Sequence, residues 1–190
     1  GKYLYFLSNR TINPVLSKIG FDAIVDKMTK PYLIVLEAGE KSPLFPKEPE
    51  ELEEEENGEE NGKDDDKHGK DEDEAEDIVI DLDGIIDRVV EVPVDAGHYD
   101  NLWAAEGKIF YRSRPSMGMT DGQRRGSDSP VYSIQMYDFE EKEDEEVVSG
   151  INSFRLSPDG KKMIYKQGNS YHVVDAGQKG DDDSSVDLSS

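Results

Sequence analysis

The stretch from Ile151 to Gly177, INSFRLSPDGKKMIYKQGNSYHVVDAG, constrains the fold more than any other part of the chain. Phe154 and Leu156 alternate with Arg155, and Ser157-Pro158-Asp159-Gly160 makes a turn. Met163 to Lys166 is a second run, Gly168-Asn169 a second turn, and Tyr171 to Val174 a third run. Strand, turn, strand, turn, strand within about 25 residues reads as one antiparallel meander. Pro158 fixes φ at the first central turn position, and Gly160 accepts the left-handed backbone needed before the chain re-enters the sheet. A meander this short cannot bury both its faces, so it needs neighbours of its own kind.

The sequence supplies them. Gly160-Lys161 followed by Met163, Ile164 and Tyr165 has counterparts in Gly107-Lys108-Ile109-Phe110-Tyr111 and in Gly1-Lys2 followed by Tyr3, Leu4, Tyr5 and Phe6. Each is a turn glycine, a lysine and a run suited to a pleated surface. Gly107 to Gly160 is 53 residues and Gly1 to Gly107 is 106. The longer interval carries two insertions, and removing them brings it near one repeat. The first, Thr11 to Lys30, ends before Pro31 and holds Val15, Leu16, Ile19, Ile24 and Val25, which are expected to form a short helical turn. The second is the acidic stretch within residues 40–77.

Between these, Tyr32 to Leu36 reads as a strand. Ile78 to Ile80 and Ile85 to Val94 read as a hairpin across Asp83-Gly84, and Pro93 implies that the second strand lies at a sheet edge or ends there. Tyr99 to Ala105 and Lys108 to Arg112 read as the next two strands. Val131 to Phe139 follows, with Val131, Ser133, Gln135 and Tyr137 on one face and Tyr132, Ile134 and Met136 on the other. Val147-Val148 is a short outer strand, and Val186-Asp187-Leu188 is the only stretch left to complete the last unit. Four short strands per unit at a spacing of about 50 residues is the pattern of propeller blades. The expected fold is all-β: four-stranded antiparallel meanders forming a partial propeller of about two and a half blades, short of the 4–8 that close a ring. The units are 1–94 with both insertions, 95–148, and 149–190. Such a piece is expected to expose sheet edges and to associate as a homo-oligomer.

Charge does not alter this reading. The net charge is -22, but Glu48 to Asp77 alone holds 18 acidic residues against Lys63, Lys67 and Lys70, a local net of 3 − 18 = -15. The remainder carries −22 + 15 = -7, ordinary for a soluble domain. The insert has too little apolar side chain to offset the entropy of ordering and reads as a solvated, disordered loop. No clustered Lys/Arg face suits nucleic acid. No apolar run reaches the roughly 20 residues of a membrane helix. There is no cysteine, hence neither disulfide nor thiolate metal site. The chain opens without Met on Gly1-Lys2, within a repeat, and reads as a piece of a longer protein.

The candidate chemistry is sparse. His68 falls in the acidic loop, His98 in a turn and His172 in a strand, at no metal-ligand spacing. No G-x-S-x-G elbow is present to place a nucleophile. Asp81-Leu82-Asp83-Gly84 and Asp181-Asp182-Asp183 lack the later bidentate glutamate of a calcium loop. Asn9-Arg10-Thr11 fits the glycosylation triplet, which needs a secretory context. The one constellation with binding chemistry is the loop after the strand at Lys108: Arg112, Arg114, Arg124 and Arg125, with Met117 and Met119, form a candidate receptor for a carboxylate or peptide end, because arginine offers a forked donor set. No cofactor is expected.

The run DLDGIIDRVVEVPVDAGHYDNL, with GKYLYFLSNRTINP before it and SFRLSPDGKKMIYK and YHVVDAG after it, resembles the tricorn protease family. The match is to the later blades of its second, seven-bladed propeller, and the closing VDLSS resembles the junction to the catalytic half. The S-P-D-G turn is shared by many TolB-like propellers, whereas DGI-x-D-R-V-V-E-V-P-V is far more specific. The resemblance implies a cytoplasmic serine peptidase acting on oligopeptides. Its catalytic serine and histidine lie beyond Ser190 in the family's layout, alongside PDZ-like and peptidase domains. It also implies a non-catalytic propeller that filters or guides substrate. The alternative is a stand-alone TolB- or WD-type scaffold that binds a protein partner.

Overall fold

A computed structural model describes residues 1–11, 14–16, 23–25, 27–45, 78–115, 131–178 and 185–186; for 14–16, 23–25 and 185–186 it gives the backbone only. The acidic run Glu48–Asp77, Met117, Met119, Arg124, Arg125, His68 and Asp181–Asp183 lie outside them. The described residues contain strands and one 3-10 turn.

Three strands form the first unit: β1 (Tyr3–Ser8), β4 (Lys30–Val35) and β5 (Val89–Glu91), antiparallel in the order β1-β4-β5. The second meander is β6 (His98–Ala105), β7 (Lys108–Arg114), β8 (Tyr132–Asp138) and the first half of β9 (Glu143–Leu156). The third is the second half of β9, then β10 (Lys162–Gln167), β11 (Ser170–Asp175) and β12 (Ser185–Val186). Val186 pairs with Tyr171, so the fourth strand comes from the Val186 segment as expected.

Strand β9 is continuous because an outer strand runs straight into the inner strand of the next blade. Its Glu143–Ser149 half pairs with β8 and its Ile151–Leu156 half with β10, hinged at Gly150 with φ +76°. Val147-Val148 is therefore part of a 14-residue strand rather than a separate short one. The Ser157–Gly160 turn closes as its residue types require. Gly160 sits at φ +69°, its N–H donates to the Ser157 carbonyl at 2.9 Å, and the Asp159 carboxylate accepts from the Lys161 N–H at 3.1 Å.

Each blade face is apolar where it meets another blade. Toward the third blade, Phe110, Ile134, Met136 and Val148 close on Phe154, Met163 and Tyr165. Toward the first, Ile109, Tyr111, Tyr137 and Phe139 close on Leu33, Val35, Val92 and Val94. The alternation expected along β8 is observed, and it serves two interfaces because the second blade is covered on both sides. Polar ties reinforce one seam: Asn101 Nδ2 donates to the Phe154 carbonyl at 3.0 Å and Arg112 Nη1 to the Asn152 carbonyl at 2.7 Å.

Three expectations are corrected. The Thr11–Lys30 insertion holds no helical turn in its described part. It carries a hairpin, β2 (Pro14–Leu16) with β3 (Ala23–Val25), in keeping with the β-branched Val15, Ile24 and Val25. Asp83-Gly84 does not join two strands: Ile78–Ile80 lies outside the sheets, and Gly84, in the left-handed region, starts a 3-10 turn over Ile85–Arg88. Only Val89–Glu91 then pairs with β4, before Pro93, which lacks an N–H for the ladder. His98 opens β6, opposite Arg114, rather than lying in a turn.

Candidate functional site

The β7–β8 and β1–β4 connections leave from the same end of their blades as the crossings at Val92–Gly97 and Gly150. The candidate arginines belong to that end. Arg112, within β7, has its fork closed: Nε and Nη2 donate to the two Asp100 carboxylate oxygens at 2.6 and 2.9 Å, and Nη1 reaches Asn152. The guanidinium lies 4.2 Å from the centre of the Tyr132 ring. The Asp100 bonds raise its already high pKa. It joins β6, β7 and β9, and three donors aimed at the protein leave little fork for a ligand. Arg114, two residues on, is exposed at the mouth of a groove. Arg124 and Arg125 fall outside the described residues, and of the two described arginines Arg114 lines the groove and Arg112 does not.

The groove, of about 500 Å³, runs between the first and second blades at this end. One wall is Asp95-Ala96-Gly97 and the other is the β7–β8 mouth at Arg114, Pro115 and Val131. The first wall is held rigidly. Tyr99 Oη donates to the Asp95 carbonyl at 2.8 Å, and Gly97 exchanges backbone bonds with Thr29 at 3.0 and 3.1 Å. A Cβ on Gly97 would stand 2.4 Å from the Tyr99 ring, so only glycine allows the ring to fold back under the wall.

Below the groove the interface closes around aromatic rings. Tyr99 and Tyr111 meet edge to face at 4.7 Å, and Tyr111 Oη donates to Asp144 Oδ1 at 2.5 Å. Burial pushes the Tyr99 hydroxyl up to about 12, and burial, then the charge of Asp144, pushes Tyr111 higher still. Burial also raises the Asp144 carboxyl, with Asp95 adding to it, while the bond from Tyr111 acts in the opposite direction. A carboxyl whose folded pKa lies above its unfolded value stabilises the fold most below the unfolded pKa, and that contribution is lost as pH rises through the folded one. The loss therefore falls above the ordinary aspartate range. Asp144→Asn is expected to flatten the urea-midpoint profile there, and a profile unchanged by the substitution would refute the assignment.

Among the described candidates, His172 has a structural place: it is 6% exposed and stacks on Tyr165 with ring centres 4.8 Å apart. Among the described residues no group of three or more His, Asp or Glu could hold a metal ion, and no helix is long and apolar enough to cross a membrane.

Comparison with known proteins decides the family. The model of the tricorn protease second beta propeller domain matches residues 1–177. The chain belongs to this tricorn family. It is 30% identical over 99% of its length to tricorn protease homolog 1 of Streptomyces coelicolor, covering 17% of that protein. It is 29% identical over 95% of its length to the tricorn protease homolog of Saccharolobus solfataricus, covering 14% of it. The crystal structure of the tricorn protease superposes on 92% of the chain with a TM-score of 0.65 at 22% identity, covering 15% of that structure, which supports the propeller fold. The tricorn segment thus spans about a sixth of the relatives it matches. The DGI-x-D-R run that carried the resemblance is the left-handed Gly84 and the 3-10 turn ending on Arg88.

Proposed function

We propose that this tricorn-family segment is the non-catalytic propeller portion of a cytoplasmic tricorn-like serine peptidase, filtering or guiding oligopeptides to an active site formed elsewhere in the polypeptide. The observation that carries the reading is the second-propeller match over residues 1–177, in a chain that spans only 14% and 17% of the two relatives above. Its partners on this reading are oligopeptides, PDZ-like and peptidase domains of the same polypeptide, and further copies of the assembly. Function then rests on shape and charge around a path, which suits a domain of rigid strands that carries its long connections at their ends.

The test is turnover. A fluorogenic oligopeptide incubated with the purified 190-residue chain is expected to stay intact, while the longer polypeptide carrying the segment cleaves it. Hydrolysis by the contaminant-free short chain, or a carrier polypeptide without peptidase activity, would overturn the reading.

A further inference from the structure

The face of the second blade that looks toward the first changes character along its strands. Near the middle it presents Ile109, Tyr111 and Tyr137, all fully buried against the first blade. Toward the groove end the same face of the same strands presents hydroxyls. Ser113 stands opposite Ser133 across β7 and β8, and Ser133 opposite Ser149 across β8 and β9, so three serines form one row over three strands. Gln135 follows one step in, paired with Glu146. The other face of these strands, toward the third blade, carries Ile134, Val148 and Ile151 buried beside Arg112, whose donors are turned to Asp100 and Asn152. The row of hydroxyls is therefore specific to one side. The groove lies over that row.

We propose that this groove is a handhold for short, free-ended oligopeptides, an inference that rests on the peptide-handling role above and gives it a place. A volume of about 500 Å³ falls within the range of small-ligand clefts. A serine hydroxyl both donates and accepts, and a carboxamide does the same through two atoms. A row of them can bond peptide N–H and C=O groups without regard to side chains. The rim is amphoteric: Arg114 and Lys27 are cationic, Asp95 and Glu146 anionic. That composition matches a zwitterion better than an anion or a cation. Arg114 receives the terminal carboxylate, for which the guanidinium fork is suited, and the two acids face the terminal ammonium. The Thr29–Gly97 bonds and the Tyr99–Asp95 bond fix the wall before any ligand arrives, which limits the ordering cost of binding.

Photo-crosslinking to the full chain tests this. The probe is a tetra-alanine peptide, free at both ends, with a diazirine on its second residue. Labelling is expected at residues 113–115 and 131–135, mapped by mass spectrometry and competed by plain tetra-alanine. Amidating the competitor's carboxylate is expected to weaken competition about tenfold, the loss of one charge-assisted contact. In Arg114→Gln that difference between acid and amide should vanish. Ser133→Phe, which fills the groove, is expected to abolish the labelling, and the exposed Arg114→Gln keeps the test decisive if that variant fails to fold. Competable labelling confined to other residues would overturn the groove and leave the peptide-guiding role standing. No competable labelling anywhere would overturn both.

Discussion

Phe110→Ala is expected to lower stability by about 3–5 kcal/mol, the usual cost of truncating a fully buried phenylalanine. Phe110 has no exposed surface and sits where the second blade meets Phe154, Met163 and Tyr165 of the third. Its position on β7, paired with Trp103 of β6 and Met136 of β8, gives the void rigid strand walls on both sides, which limits collapse. A chain of this size has roughly 5–15 kcal/mol to lose, so the variant should melt on the order of 10 °C lower. Phe110→Leu, which keeps most of the volume, should cost under about 1.5 kcal/mol. Thermal and urea unfolding followed by circular dichroism read both. A Phe110→Ala cost below about 1 kcal/mol would mean that the seam between blades is not the core the burial implies.

The architecture was legible where one residue type had one physical use. Gly160 announced a left-handed backbone and Gly168-Asn169 a turn, and both glycines occur at positive φ. The alternation of β8 announced a two-faced strand. What failed were the places where a local signal left the next step open. Asp83-Gly84 does turn the chain, but whether a strand or a 3-10 turn follows is set by how much of β4 remains unpaired. That register, Leu33 opposite Val90, is a long-range fact. Likewise, Val15 and Ile24 are apolar in a short segment, where a strand and a helical turn leave similar patterns.

The site was legible only as residue types. Four arginines could be seen, but not that Asp100, twelve residues before Arg112, would claim its fork. Ser113, Ser133 and Ser149 are unremarkable singly, and only strand register puts them in one row. Gly97 carried the clearest missed signal. A glycine two residues before an aromatic permits a close ring-to-backbone approach, and here that approach shapes a wall of the groove.

Arg88→Ala is the second large effect expected, at about 2–3 kcal/mol, from charge-assisted bonds discounted for partial exposure. Arg88 ends the 3-10 turn, and its donors reach four backbone carbonyls. Nε donates to Val35 at 2.9 Å, Nη1 to Asp83 at 2.9 Å, and Nη2 to Leu36 at 3.3 Å and to Asp81. Those carbonyls lie where the chain leaves β4 and where it returns, on either side of the acidic insertion, so one side chain pins both ends of the longest excursion. Asp81 completes the clasp, its N–H donating to the Leu36 carbonyl at 2.9 Å and its carboxylate accepting from the Ala38 N–H at 2.7 Å. Leu82 and Ile86 are 76% and 81% exposed, so apolar burial does not hold this segment. The arginine does. A lysine offers one point charge and cannot span carbonyls set that far apart, so Arg88→Lys should recover less than half the loss. Hydrogen exchange separates this account from a diffuse surface effect. The Asp81 amide should lose protection in both variants, while amides of the third blade, such as Ala176, bonded to the Lys161 carbonyl at 2.9 Å, keep theirs. Full stability in Arg88→Lys, or uniform loss of protection across the chain, would show that the clasp is not what closes the first blade.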